Sequence, residues 1–282
     1  MYQDTALPHT TTLPGDPVPA RDPALLYDPR SASGTGVPSD TVVRVLGGLS
    51  LVYGPRPVAV PPGSRRLLAY LALHPAGVDR RSAAGVLWPT VTEGRAAGNL
   101  RSALWRLQRV GCPLVRTEQS ALHLDDDVRV DLRAVEAWAG RVLAGTATSA
   151  DLAVDPGAIA DVELLPGWYD DWALATGARL RLRLLHALDA LSRLLRQAGR
   201  PIEAVEAVHV AVLAEPLRES GQRALIEAHQ AAGDWVAARR QYDVFRGLLR
   251  REIGVEPSAE LTAAVTAPRP RPGSRPELAK GG

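Results

Sequence analysis

Arg95, Asn99, Ser102, Arg106 and Arg109 follow one another at intervals of four, three, four and three within TVTEGRAAGNLRSALWRLQRV, the stretch from Thr90 to Val110. Those intervals return to one side of an α-helix, and that side carries no carboxylate. Guanidinium, amide and hydroxyl groups are the side chains that hydrogen-bond base edges and phosphates in a DNA major groove. Ala96, Leu100, Ala103, Leu104, Leu107 and Val110 recur on another side as an apolar stripe that calls for burial. Thr90 followed by Glu93 fits a capping box for the helix start. The polar side equally suits a plain solvated face, so the neighbouring elements have to decide between the two.

Catalytic chemistry finds little to work with. Asp170-Asp171 and Asp125-Asp126-Asp127 are the dense carboxylate groups, but adjacent residues on a helix or strand point apart, which suits caps and solvated turns better than a shared proton. The six histidines, His9, His74, His123, His186, His209 and His229, show no HExxH or other ligand spacing. There is no Gly-x-Ser-x-Gly elbow, no GxGxxG after a strand and no GxxxxGK[ST] loop. Trp168 and Trp172, four apart, could line an aromatic ligand site, but packing at the start of a helical domain suits them better. Cys112, the single cysteine, rules out an intramolecular disulfide framework and reads as a small core hydrophobe in a reducing compartment. The expectation is a chain that is not an enzyme and uses neither metal nor cofactor.

The elements around the arginine-bearing helix give it a context. Over 282 residues the net charge is only +2. Between Asp40 and Cys112, however, ten arginines (44, 56, 65, 66, 80, 81, 95, 101, 106, 109) stand against three acids, Asp40, Asp79 and Glu93. A basic module is thus joined to a more acidic one. Lys280 is the one lysine; arginine in place of lysine is what a GC-rich genome encodes, so arginine content alone does not identify a DNA binder. Apolar residues make up 46% and charged residues 23%, as in globular proteins. No apolar run approaches the roughly 18 residues of a membrane span, and the N-terminus lacks the basic start and apolar core of a signal peptide, so no membrane partner and a cytoplasmic location are expected.

In chain order, residues 1–40 are rich in Pro, Thr, Asp and Ser without periodicity and are expected to form a disordered tail. VVRVLGGLSLVYG and RPVAV, broken by Gly47-Gly48 and Gly54-Pro55, read as two or three strands of a small sheet. Ser64 is a candidate cap for the helix RRLLAYLALHP, and Asp79 for RRSAAGVLW. The Thr90–Val110 helix follows, and then PLVRT and SALHL, with a turn expected at Glu118-Gln119. Strands, three helices and a hairpin, the third helix most basic, are the order of a winged helix-turn-helix domain of the OmpR type, expected over 41–130. In such domains the third helix enters the major groove and the hairpin wing touches the backbone. The wing here offers Arg116, but Glu118 lies beside its tip and three aspartates follow.

The second half reads as nearly all helix. Asp131 is a possible cap and Gly145 a stop for DLRAVEAWAGRVLAG. Gln197-Ala198-Gly199-Arg200 aligns with Ala231-Ala232-Gly233-Asp234 at a separation of 34, as do Leu191 with Leu225 and Ala204 with Ala238. Thirty-four is the tetratricopeptide period, a helix, a tight turn and a second helix. An all-α tetratricopeptide-like domain over 131–266 is expected, followed by a second disordered tail at 267–282. The fold class is therefore mainly α.

A winged helix and such repeats in one chain resemble the Streptomyces antibiotic regulatory protein family of transcription factors, from about Val42 to Leu261. The resemblance rests on RVLGGLSLVYG, RRLLAYLALHPAGV and NLRSALWRL, and above all on ELLPGWYDDW at Glu163–Trp172. The last is similar to the signature of the bacterial transcriptional activation domain, whose usual ending resembles LLRREIGVEPSAEL at Leu248–Leu261. The resemblance implies an activator of antibiotic or other secondary-metabolite genes that binds direct repeats in double-stranded promoter DNA as a homodimer and contacts RNA polymerase. It also implies base contacts at Arg95, Asn99, Ser102 and Arg106, with Arg101 and Arg109 toward phosphate. Where the family's wing carries Gly-Tyr, this sequence has Ser120-Ala121, and the wing's share of the contact is discounted. Two other readings stay open: a protein-interaction adaptor built on the repeats, and a regulator gated by a small ligand in the solenoid.

Overall fold

In the computed structural model, which describes residues 41–266, three short strands come first. The two expected tails, 1–40 and 267–282, lie outside the described residues. β1 (Thr41–Arg44), β2 (Ser50–Tyr53) and β3 (Arg56–Val58) pair antiparallel in sequence, turning at the two glycine-bearing breaks. A later strand, β7 (Val128–Val130), completes this sheet by pairing parallel to β1, with Thr41 opposite Val128. No local pattern announced that strand.

α1 (Pro62–Ala72) begins one turn earlier than the sequence suggested. Pro61 and Pro62 set its start, because proline has no N–H to lose in the first turn. Ser64 is therefore not a cap. It lies inside the helix, fully buried, and its hydroxyl donates to the Ala103 carbonyl at 2.9 Å. After β4 (Val78–Asp79), the Asp79 carboxylate accepts from the Arg81 and Ser82 amides and caps α2 (Arg80–Leu87), as expected. These bonds hold the Asp79 carboxyl below the usual aspartate range.

α3 spans Glu93–Leu107, shorter at both ends than Thr90–Val110. The Thr90–Glu93 capping box does not form: Thr92 occupies the cap position without a side-chain bond, and Glu93 pairs instead with Arg81 of α2. β5 (Val115–Glu118) and β6 (Ala121–Leu124) make the wing, with β4 alongside β6. Its turn falls at Gln119-Ser120 rather than Glu118-Gln119, since Glu118 still pairs with Ala121.

The helical half starts directly from β7. α4 (Asp131–Ala144) ends on Gly145, whose φ of 72° is the left-handed stop that glycine reaches without strain. Asp131 is not the cap, since Val130 holds that position without a side-chain bond; as the first helical residue, Asp131 turns its carboxylate to accept from the Val45 and Leu46 amides at 2.9 and 3.1 Å, across 86 and 85 residues. A 3-10 turn (Asp151–Ala153) and α5 (Pro156–Ala160) follow, and then α6 (Asp171–Gln197), α7 (Pro201–Ala214), α8 (Glu219–Ala231), α9 (Trp235–Glu252) and α10 (Ala259–Thr266).

The 34-residue period is reproduced bond for bond in two turns. Ala198, Gly199 and Arg200 donate to the carbonyls of Leu194, Arg196 and Leu195, and 34 positions on Ala232, Gly233 and Asp234 donate to those of Ala228, Gln230 and His229. Gly199 and Gly233 have φ of 74° and 80°. The α6–α7 and α8–α9 junctions thus share one turn geometry, 34 residues apart.

One continuous core runs from Val43 in the first sheet through α1–α4 to Ala228 in α8, so the two halves share buried surface. A smaller cluster of Ile226, Ala238, Tyr242, Phe245, Leu249 and Leu261 closes the far end. The mainly α architecture, with small sheets and three helices leading an all-helical part, is the one expected.

Candidate nucleic-acid interface

α3 is fixed from behind by its apolar stripe. Ala96, Leu100, Ala103, Leu104 and Leu107 are all buried against α1 and α2. Each buried leucine contributes about 1.5–3 kcal/mol toward holding the helix in place. The Ser64–Ala103 bond adds a directional tie from α1 to the middle of α3. The helix can therefore present its other side as a rigid surface.

Arg95, Asn99, Arg101, Ser102, Arg106 and Arg109 all lie on that exposed side. Arg95, Arg101 and Arg106 form no ion pair with another described residue, and neither Asn99 nor Ser102 spends its side chain on a hydrogen bond to one. Arg106 lies along the start of α1, where a Cβ added to Gly63 would sit 2.8 Å from its Nη1. Arg109 extends over the ring of Trp105, with its guanidinium carbon 4.4 Å from the ring centroid. Glu93 is the sole acid on α3, and Arg81 neutralises it at 2.6 Å.

Most arginines of the helical half are spent differently. Between residues 131 and 252, ten of the fifteen arginines (141, 181, 196, 200, 218, 223, 239, 246, 250 and 251) pair with carboxylates. Neither the three arginines of α3 (95, 101 and 106) nor Arg109 just beyond its end does so with a described residue. Unneutralised guanidinium groups beside free amide and hydroxyl groups are what a polyanion with hydrogen-bonding edges would meet.

Arg116 is placed differently. It is held by Glu118 and, at 3.0 Å, by Asp126, so the one cation of the wing is committed to its own acids. It does not join the α3 set. Trp105, which the spacing argument left out, is 56% exposed on the same side as Ser102 and Arg109. Its position, three residues after Ser102 and four before Arg109, was the available signal.

The ELLPGWYDDW stretch is the joint between the halves. Leu164 bridges to Leu46, the Leu165 amide donates to the Val45 carbonyl at 2.9 Å and the Gly47 amide to the Glu163 carbonyl at 2.8 Å. Trp168 meets Trp172 edge to face at 6.0 Å, Trp172 meets Tyr70 of α1 at 5.2 Å, and Asp170 pairs with Arg66 of α1. The tryptophans pack, as the sequence suggested. Beside α4 the Asp151 carboxylate receives Arg141 through two bonds of 3.0 and 2.6 Å, together with the Thr148 amide and hydroxyl, and lies at a pKa of about 2, chiefly because of the Arg141 bonds.

Cys112 is buried, which pushes its thiol up and leaves it unreactive. Among the described residues, no cluster of His, Cys, Asp and Glu could hold a metal ion, and no helix is long and apolar enough to cross a membrane.

Comparison with known proteins bears on this arrangement. The bacterial transcriptional activator domain family matches residues 114–267, more than half of the chain. The match begins just before the wing and takes in the whole helical half. A search of curated proteins found no match. Among solved structures, Mycobacterium tuberculosis EmbR in complex with a low-affinity phosphopeptide is similar, with a TM-score of 0.65 and 20% identity over 79% of this chain. The similar region is 63% of that chain. At that identity the likeness concerns the fold.

Proposed function

The chain belongs to the bacterial transcriptional activator domain family, and from that premise we propose that it is a sequence-specific DNA-binding transcriptional regulator of the Streptomyces antibiotic regulatory protein type, with α3 as its recognition helix. The observation that carries the proposal is the exposed side of α3, where Arg95, Asn99, Ser102 and Arg106 stand free of carboxylates on a helix locked by five buried residues. Asn99 and Ser102 supply groups that discriminate base edges. Arg95 and Arg106 reach guanine edges or phosphates, and Arg101 and Arg109 supply phosphate neutralisation. With Arg116 committed to Glu118 and Asp126, α3 supplies most of the contact.

In this reading the protein acts in the cytoplasm as a homodimer on direct repeats near a promoter of secondary-metabolite genes, and the helical half contacts RNA polymerase. A groove of about 560 Å³ between α4, α6 and α8, lined by Leu143, His186, Arg193 and Glu227 among others, suits a protein partner there. That groove also favours a second reading, an adaptor whose helical half does the binding.

A fluorescence anisotropy titration with duplexes from upstream of neighbouring biosynthetic genes separates the two readings. The regulator saturates one duplex at moderate salt and ignores a scrambled one, and its affinity falls steeply with added salt. An adaptor shows no saturable, sequence-dependent binding.

A further inference from the structure

Trp105 is the largest apolar side chain exposed on α3, at 56%. The helix does not need it for burial, since Ala96, Leu100, Ala103, Leu104 and Leu107 already complete the stripe. Single exposed leucines or valines are ordinary on a protein surface, whereas a half-exposed tryptophan on a functional face retains a large apolar area facing water. The residue lies between Gly98, Ser102 and Arg109 on successive turns, in the middle of the solvent-facing side and not at its margin. The Arg109 guanidinium, 4.4 Å from the ring centroid, holds one face of the indole. A cation over the ring restricts its rotamers before any ligand arrives, so less entropy is lost on contact.

We propose that Trp105 reads thymine, by packing the free part of its ring against the C5-methyl group in the major groove. The inference rests on the reading of α3 as a recognition helix and adds a base preference to it. In the major groove the thymine methyl is the apolar group among the hydrogen-bonding edges of the four bases. Ser102, Asn99 and Arg106 are suited to the polar edges, and Trp105 is the side chain on that surface suited to the methyl. Arg109, drawn over the ring, then reaches phosphate with its free N–H groups. The pair acts as one unit in which the cation positions the reader.

The test uses the full chain. A randomised 30-base-pair duplex pool is enriched on the wild-type protein, and each thymidine of the selected duplex is then replaced in turn by deoxyuridine, which lacks the methyl. Affinities are measured by anisotropy for wild type, Trp105→Ala and Trp105→Phe. The wild type is expected to lose about four-fold at one or two thymidine positions, the value of one methyl removed from water. Trp105→Ala binds the parent duplex more weakly and no longer responds at those positions, while Trp105→Phe keeps the response.

Because the side chain is half exposed, Trp105→Ala should retain the wild-type circular dichroism and melting curve, and Trp105→Phe covers the case in which it does not. Wild-type indifference to every deoxyuridine overturns the proposal, as does a selected duplex without thymine. A Trp105→Ala protein with undiminished affinity places the residue outside the interface while DNA binding itself stands. If no duplex is enriched at all, the recognition-helix reading fails, and the base preference fails with it.

Discussion

Tyr70 of α1 and Trp172 of α6 meet edge to face, with ring centroids 5.2 Å apart and planes at 79°. This pair joins the helix that supports α3 to the helix that opens the repeats. Arg66, one turn before Tyr70 on α1, pairs with Asp170, the residue that precedes α6. The orientation of the exposed side of α3 is therefore tied to the helical half through α1.

Tyr70→Ala is expected to cost about 3 kcal/mol in denaturant unfolding, since Tyr70 is 7% exposed and its removal opens the shared core. A double-mutant cycle with Trp172→Ala should show coupling of about 1 kcal/mol. The shared core also predicts that near-UV and far-UV signals of the wild type fall in one transition. Two separate transitions would show that the halves are energetically independent.

Stability in acid is expected to follow Asp151. Its folded pKa of about 2 lies below the ordinary 3.8, so its contribution is complete above about pH 4 and fades as pH falls through 2. The magnitude is on the order of 1–2 kcal/mol, since Arg141 is partly exposed to solvent. Asp131 runs the other way. Burial raises its pKa, so its protonated form is favoured by folding at low pH and that contribution is gone once pH has risen through the folded value. Urea midpoints measured from pH 2 to pH 6 should rise less steeply in Asp151→Asn than in wild type. An unchanged pH profile would remove Asp151 from the account.

The wing is a site where DNA affinity should increase. Glu118→Gln with Asp126→Asn releases Arg116 and removes two negative charges from the wing. Affinity for cognate and random duplexes should rise together, and the slope of log affinity against log salt should steepen by about 1, the value of one added phosphate contact. No change in affinity would mean that the wing stands away from DNA.

The α3 stripe was readable because an apolar period of 3.6 is a local property of the chain, and the turns at Gly199 and Gly233 because a repeat is a comparison within it. What escaped reading depends on partners far along the sequence. Ser64 has cap chemistry, but its partner is the Ala103 carbonyl, 39 residues on. Asp131 likewise has cap chemistry, but Val130 holds the cap position and the Asp131 carboxylate serves Val45 and Leu46. β7 is too short to announce itself and exists through its pairing with β1. The exposure of Trp105 was hidden for a related reason: tryptophan in a helix suggests core, and only the filled stripe beneath it shows that the core had no place for it.

The central claim is that the exposed side of α3 reads base sequence. Asn99→Ala and Arg106→Ala, titrated by anisotropy against the selected duplex and a random one, test it most directly. Both substitutions remove exposed side chains and should leave the melting curve in place. Each substitution should lose about 1–3 kcal/mol on the selected duplex and much less on the random one. Equal losses on both would reduce these residues to phosphate contacts, and unchanged affinity on both would contradict the assignment of α3 as the reading element.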